Sequence, residues 1–146
     1  MDLTTSYPSS VREPLLGMVQ LKRTIDKGKA AAFGKLGDYN YDCPMDKHLF
    51  AYLAIDGDAL LDVIKAAKSD AEIEEYVAPY VHAKTDEEVA AFNRDWLLYG
   101  PEPGTPSAAY FHKLREEVAP DRTDVTAWAD LLDLDEKRSV PRRVAA

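Results

Sequence analysis

The sequence predicts an all-α protein, a single domain of six or seven short helices with a long central loop. Three observations point there. Apolar residues recur at helical spacing in segment after segment. Serine or threonine followed three residues later by glutamate, the pattern that caps a helix N-terminus, occurs at Ser10, Ser69 and Thr85. No segment shows the sustained apolar–polar alternation of a half-buried strand. A length of 146 residues, 46% hydrophobic and 30% charged, suits one globular domain spanning 1–146 with a core of its own.

The elements follow in order. Residues 1–17 read as an irregular lead-in, with Ser10–Glu13 and Pro14 making a short turn that Gly17 ends. The first helix is expected over about Met18–Phe33. Met18, Leu21, Ile25, Gly28 and Ala32 lie on its inner side, and Lys22, Arg23, Lys27 and Lys29 form a solvated basic face suited to an acidic surface or a phosphate. Gly28 costs about 1 kcal/mol against alanine inside a helix, which predicts a close helix–helix approach there.

Gly34 and Gly37 open the central loop, Leu36 to Cys43. Pro44 suits a first helical position, so Cys43 becomes the N-cap and Asp46 the third residue, whose carboxylate can reach back to the cap N–H. Met45, Leu49, Phe50 and Leu53 are the inner face of this second helix. A third helix, capped by Asp58, carries Leu60, Leu61 and Ile64 inward; a fourth starts at Ser69 and is ended or kinked by Pro79. Thr85 opens a fifth helix, to about Tyr99, with Val89, Phe92, Trp96 and Leu97 inward and Asn93 on the same face. Gly100 to Pro106 is a stiff loop. A sixth helix, about Ser107–Ala119, bears Tyr110, Phe111, Leu114 and Val118. Thr123 or Asp124 caps the last, with Val125, Trp128, Leu131 and Leu132, and 136–146 reads as a frayed tail.

Composition excludes several functions. The net charge is −8, and between Asp56 and Glu136 there are 20 acids against 7 bases, a body that repels a phosphate backbone; nucleic acid is not expected as a partner. No apolar run is long enough to span a membrane, and the N-terminus lacks the basic-then-apolar order of a signal peptide, so a cytoplasmic protein is expected. The lone Cys43 fits a reducing compartment and excludes four-cysteine zinc sites. His48, His82 and His112 are scattered, and His112 with Glu116 faces away from the apolar stripe, so no metal site is expected. Gly34–Gly37 lacks the spacing of a phosphate-binding loop, and no cofactor is indicated.

The central loop holds the candidate site. Cys43 at a helix N-terminus meets the positive end of the backbone dipole, which favours a nucleophilic thiolate; the flanking Asp42 and Asp46 oppose it, and the structural alternative is a small buried hydrophobe. Cys43, Asp46 and Tyr41 are the candidate catalytic set, with His48 as an uncertainly placed base. Tyr39, Asp42, His48, Asn93 and Trp96 are the candidate ligand-binding residues, since phenols, carboxylates and a core-facing amide suit a polar pocket. Against this, the same tyrosines and acids can simply pin a long loop, and Trp96 and Trp128 can be core.

The segments Tyr7-Pro8 with Arg12-Glu13, Leu36–Asp46, Ser69-Asp70, Asp121–Thr126 and Leu131–Glu136 together resemble a small bacterial family, domain of unknown function 5069. The likeness covers nearly the whole chain, departing at Met45, where the family pattern has leucine. It implies a bacterial cytosolic protein of one domain and assigns no activity, cofactor or catalytic residue. Two readings stand: a module that binds a small molecule or protein partner through residues 36–48, and, as the alternative, a small enzyme or thiol-dependent protein using Cys43. The sequence leaves the oligomeric state open.

Overall fold

Why the first helix starts where it does explains much of the molecule. In the computed structural model, which describes residues 1–143, α1 spans Leu21–Ala32 rather than beginning at Met18. Leu15 and Met18 exchange backbone hydrogen bonds around a turn at Leu16-Gly17, and Gln20 takes φ 73°, which no α-helix continues. The remaining helices are α2 (Pro44–Leu53), α3 (Gly57–Ala66), α4 (Asp70–His82), α5 (Asp86–Leu98), α6 (Pro106–Val118) and α7 (Trp128–Asp135). The described residues contain seven helices and no strand, as the periodicity predicts.

Several ends differ from the pattern-based expectation. Asp56, not Asp58, caps α3, accepting from the N–H groups of Asp58 and Ala59. Glu72 accepts from Lys68 N rather than from Ser69. Pro79 sits inside α4, which runs on to His82. The last helix starts at Trp128 because Asp124 serves Arg122 and the Arg143 N–H instead of a cap. Thr85, by contrast, makes the full capping box with Glu88.

The apolar residues gather into two clusters. The larger joins Val11, Met18, Leu21 and Ile25 to the inner faces of α2, α3, α4 and α5. The smaller holds Phe111, Val125 and Leu131 between α6 and α7. Helix α1 approaches α3 at Gly28, where an added Cβ would lie 2.6 Å from Ile64 Cδ1; the close approach expected there is present.

The charges of α1 do not behave as a solvated face. Lys22 and Lys29 pair near the surface with Glu13 and Asp70, but Arg23 and Lys27 are buried, each against a buried carboxylate. The helix is apolar on one side and internally ionic on the next. The C-terminal segment is also tied down where it is described. Glu136 and Val140 are buried, Arg138 donates to Pro8 O at 2.6 Å, and Arg143 pairs with Asp130 at 2.8 Å. The frayed tail expected over 136–146 is therefore not what residues 136–143 show, and 144–146 lie outside the described residues.

Candidate functional site: a cleft above two buried ion pairs

The central loop reaches its position through two backbone devices. Gly37, at φ 60°, passes so close to the lead-in that a Cβ would lie 2.9 Å from Leu3 O, and Leu3 N donates to Lys35 O at 2.8 Å. Asp42, at φ 66°, turns the chain into α2, where Cys43 is the extended N-cap and Pro44 the first helical residue. The Asp46 carboxylate holds this turn, accepting from Asp42 N at 3.0 Å and Cys43 N at 3.3 Å. The reach-back inferred from the spacing of Cys43, Pro44 and Asp46 is present.

Asp46 does more than cap. It is fully buried, and its oxygens also accept from Thr24 Oγ1 at 2.6 Å, Gln20 Nε2 at 3.3 Å and Lys27 Nζ at 2.7 Å. A buried carboxylate persists only when its lone pairs are filled, and here they are. The same Lys27 ammonium donates to Cys43 Sγ at 3.2 Å. Cys43 is half-buried, so its sulfur sits between a buried cation and open space.

A second ion pair lies beside the first. Arg23 grips Glu136 through two parallel bonds of 2.8 and 2.7 Å, and Tyr39 OH donates to the same carboxylate at 2.8 Å. Arg138 adds a second cation to the same carboxylate. Burial pushes Glu136 upward, but the Arg23 bonds and charge more than offset it, leaving its pKa below the ordinary glutamate value. Burial likewise works against Arg23, and Glu136 outweighs it, so the guanidinium is held charged. Tyr39 is pushed far up, by burial first and then by Glu136, and stays a protonated donor. Asp135, at the rim, is raised by burial and by the neighbouring Glu136 charge.

Above these pairs opens a cleft of about 760 Å³. Gln20, Arg23, Lys27 and Cys43 border it, Thr4 to Tyr7 form one side, and Tyr39, Asn40 and Glu136 another. A second cleft, about 700 Å³, shares Cys43, Met45, Tyr110, Trp128 and Leu132 with the first and is walled by His48, Trp96 and Tyr99. These volumes suit a small molecule. The clefts lie along the seam between the two apolar clusters, with Met45 and Trp96 from one and Trp128 from the other.

The structure sorts the candidates. Cys43 and Tyr39 line the first cleft, with Asp46 fully buried behind the Cys43 turn, and His48 and Trp96 border the second. Tyr41 leaves the candidate catalytic set: its hydroxyl donates to Gly57 O at 2.7 Å, and its ring packs on Phe50 and against Gly28. Asp42 pairs at the surface with Lys47 at 2.6 Å. Asn93 does not meet the central loop or either of these clefts; it clamps the lead-in turn, accepting from Val19 N at 3.0 Å and donating to Gly17 O at 2.9 Å. Trp96 is buried, stacks between Phe92 and Tyr99, and donates Nε1–H to Gln20 Oε1 at 3.2 Å.

Gln20 and Glu136 escaped the sequence reading, and Arg23 and Lys27, read there as a solvated basic face, are instead buried in ion pairs. The signal was there: Gln20, Arg23, Thr24 and Lys27 follow helical spacing as one polar stripe beside the apolar one. Among the described residues no three His, Cys, Asp or Glu side chains gather as a metal ion needs, and no helix is long and apolar enough to cross a membrane.

Fold and site thus define an all-α domain with a polar cleft built over internal ion pairs and joined to an aromatic one. A family model described as domain of unknown function (DUF5069) matches residues 5–138, and the chain belongs to that family. No curated protein matches it.

Proposed function

We propose that the protein is a binding module for a small, partly apolar molecule seated in the joined clefts, with the central loop as one wall. One observation carries this reading. Four charged groups (Arg23, Lys27, Asp46, Glu136) are buried and mutually satisfied directly under open space, where a purely structural design of the same volume would use apolar residues. The arrangement supplies fixed dipoles and donors to a polar head, while Met45, Trp128 and Leu132 supply apolar contact.

The test is a titration with the neutral fluorescent probe N-phenyl-1-naphthylamine. Saturable one-site binding, abolished by Leu132→Trp, which fills the shared wall, is the expected result. Absence of saturable binding, or binding indifferent to that substitution, sinks the reading.

The contact between Lys27 Nζ and Cys43 Sγ favours a second reading, a thiol-dependent enzyme in which the ammonium stabilises negative charge developing on sulfur. Rapid alkylation of Cys43 by iodoacetamide on the folded protein, at a rate that levels off well below the pH at which a free thiol ionises, would favour it. A rate that tracks an ordinary thiol rules it out.

A further inference from the structure

The second cleft has a chemistry of its own. Its walls are aromatic from several elements: His48 on α2, Trp96 on α5 with Tyr99 just after it, Tyr110 on α6 and Trp128 on α7. Trp96 and Tyr99 lie 5.0 Å apart and nearly parallel, and His48 is 4.7 Å from Trp96. Tyr99 and Tyr110 are 45% and 60% exposed, although large aromatic side chains usually bury most of their surface. One face of Tyr99 lies on Trp96, and the exposed parts of Tyr99 and Tyr110 border the cleft, where they present ring surface to whatever occupies it.

Charge decides which occupant. Glu102 is the acidic side chain bordering the cleft, and no lysine or arginine borders it among the described residues. A smaller groove that shares His48, Trp96 and Tyr99 with the cleft adds Glu88 and Asp95. Aromatic faces attract cations, most strongly tryptophan and tyrosine, and nearby carboxylates repel anions. The net charge of −8 adds a field of the same sign.

We infer that the aromatic cleft between α2, α5, α6 and α7 takes the cationic end of an organic cation, of the quaternary ammonium or cationic aromatic class. This rests on the reading that the clefts hold a small molecule, and narrows it. The polar cleft, whose buried cations Arg23 and Lys27 are neutralised by Glu136 and Asp46, then takes the uncharged remainder of the same molecule.

The experiment uses the full chain and its own fluorescence, since both tryptophans border the cleft. Benzyltrimethylammonium is titrated beside its carbon isostere neopentylbenzene and the anion phenylmethanesulfonate. Expected is saturable quenching by the cation at roughly tenfold or more lower concentration than either comparator. Tyr110→Leu and Glu102→Gln, both surface changes, should each weaken the cation several-fold, and Glu102→Gln should leave neopentylbenzene unchanged. Equal binding of cation and isostere, preference for the anion, or no saturable quenching overturns the inference. Should N-phenyl-1-naphthylamine still bind and yield to Leu132→Trp, only the ligand class is wrong. Should neither probe bind, the cleft reading falls with it.

Discussion

Asp46 is the residue on which the site depends. It joins a helix cap, a buried ion pair and the Cys43 turn in one side chain. Removing one partner of a buried pair strands the other, so Asp46→Ala should cost about 3–5 kcal/mol in urea unfolding. Lys27→Met with Asp46→Leu should cost clearly less than Asp46→Ala alone, because no charge is left unpaired, although the cap bonds and those from Thr24 and Gln20 are lost in both. A double variant as unstable as the single one contradicts that account. Gln20 contributes through backbone strain: it holds φ 73° while its side chain bonds Trp96, Thr24 and Asp46. Such a conformation persists where its surroundings over-determine it, and these are the surroundings of the cleft.

Glu136 gives the residue scale its pH dependence. Its pKa is lowered in the folded protein, so its pairing with Arg23 contributes stability that is fully present above the ordinary glutamate value of 4.5. That contribution is lost as pH falls through the lowered folded-state value. Urea midpoints measured from pH 7 downward should therefore fall below about pH 4.5, and Glu136→Gln should flatten that part of the curve while lowering stability at pH 7. An unchanged slope in the variant would show that other carboxylates set the acid limit.

At the scale of the element, two glycines mark where backbone meets a neighbour. Gly100 follows α5, and a Cβ there would lie 2.0 Å from Thr126 O, a backbone atom that cannot swing aside. Gly100→Ala should cost about 1–3 kcal/mol by chemical unfolding and should weaken the Trp128 N to Tyr99 O bond that ties α7 to the end of α5. Gly28 differs, since its nearest neighbour is the flexible end of Ile64. There the helical gain of alanine, about 1 kcal/mol, opposes a contact that can yield.

Helix α1 also shows what the sequence made legible. Its apolar stripe and the close approach at Gly28 follow from spacing and appear in the structure, as does the Cys43–Asp46 cap of α2. Its charges did not, because lysine and arginine at helical spacing look the same whether they meet water or a carboxylate brought in from α2 or from Glu136. Local pattern carries no information about a partner 113 residues away. Asn93 shows the same limit: its inward place was legible, but not that it would clamp Gly17 and Val19 rather than the central loop. Tyr41 and Tyr39, two residues apart in the loop, could not be told apart by pattern; the fold takes Tyr39 to Glu136 and Tyr41 to the Gly57 carbonyl.

At the scale of the whole molecule, the two apolar clusters are held together by chain ends as well as by packing. The lead-in and the C-terminal segment meet at Arg138 with Pro8 and at Arg23 with Ser9 and Glu136. The clefts lie on the seam those contacts close. Removing 137–146 should lower the thermal midpoint and open the cleft, read as faster alkylation of Cys43. An unchanged rate in a folded truncation would mean that this segment does not shape the site.

Cys43 borders both of the clefts proposed to hold a small molecule, so an occupant there should shield it. The most direct test is the alkylation rate of Cys43 by iodoacetamide, measured on the folded chain with and without saturating N-phenyl-1-naphthylamine. The free protein should label measurably, and labelling should slow markedly when the probe is bound. A rate unaltered by bound probe, or labelling that appears only on unfolding, would place the binding elsewhere and contradict it.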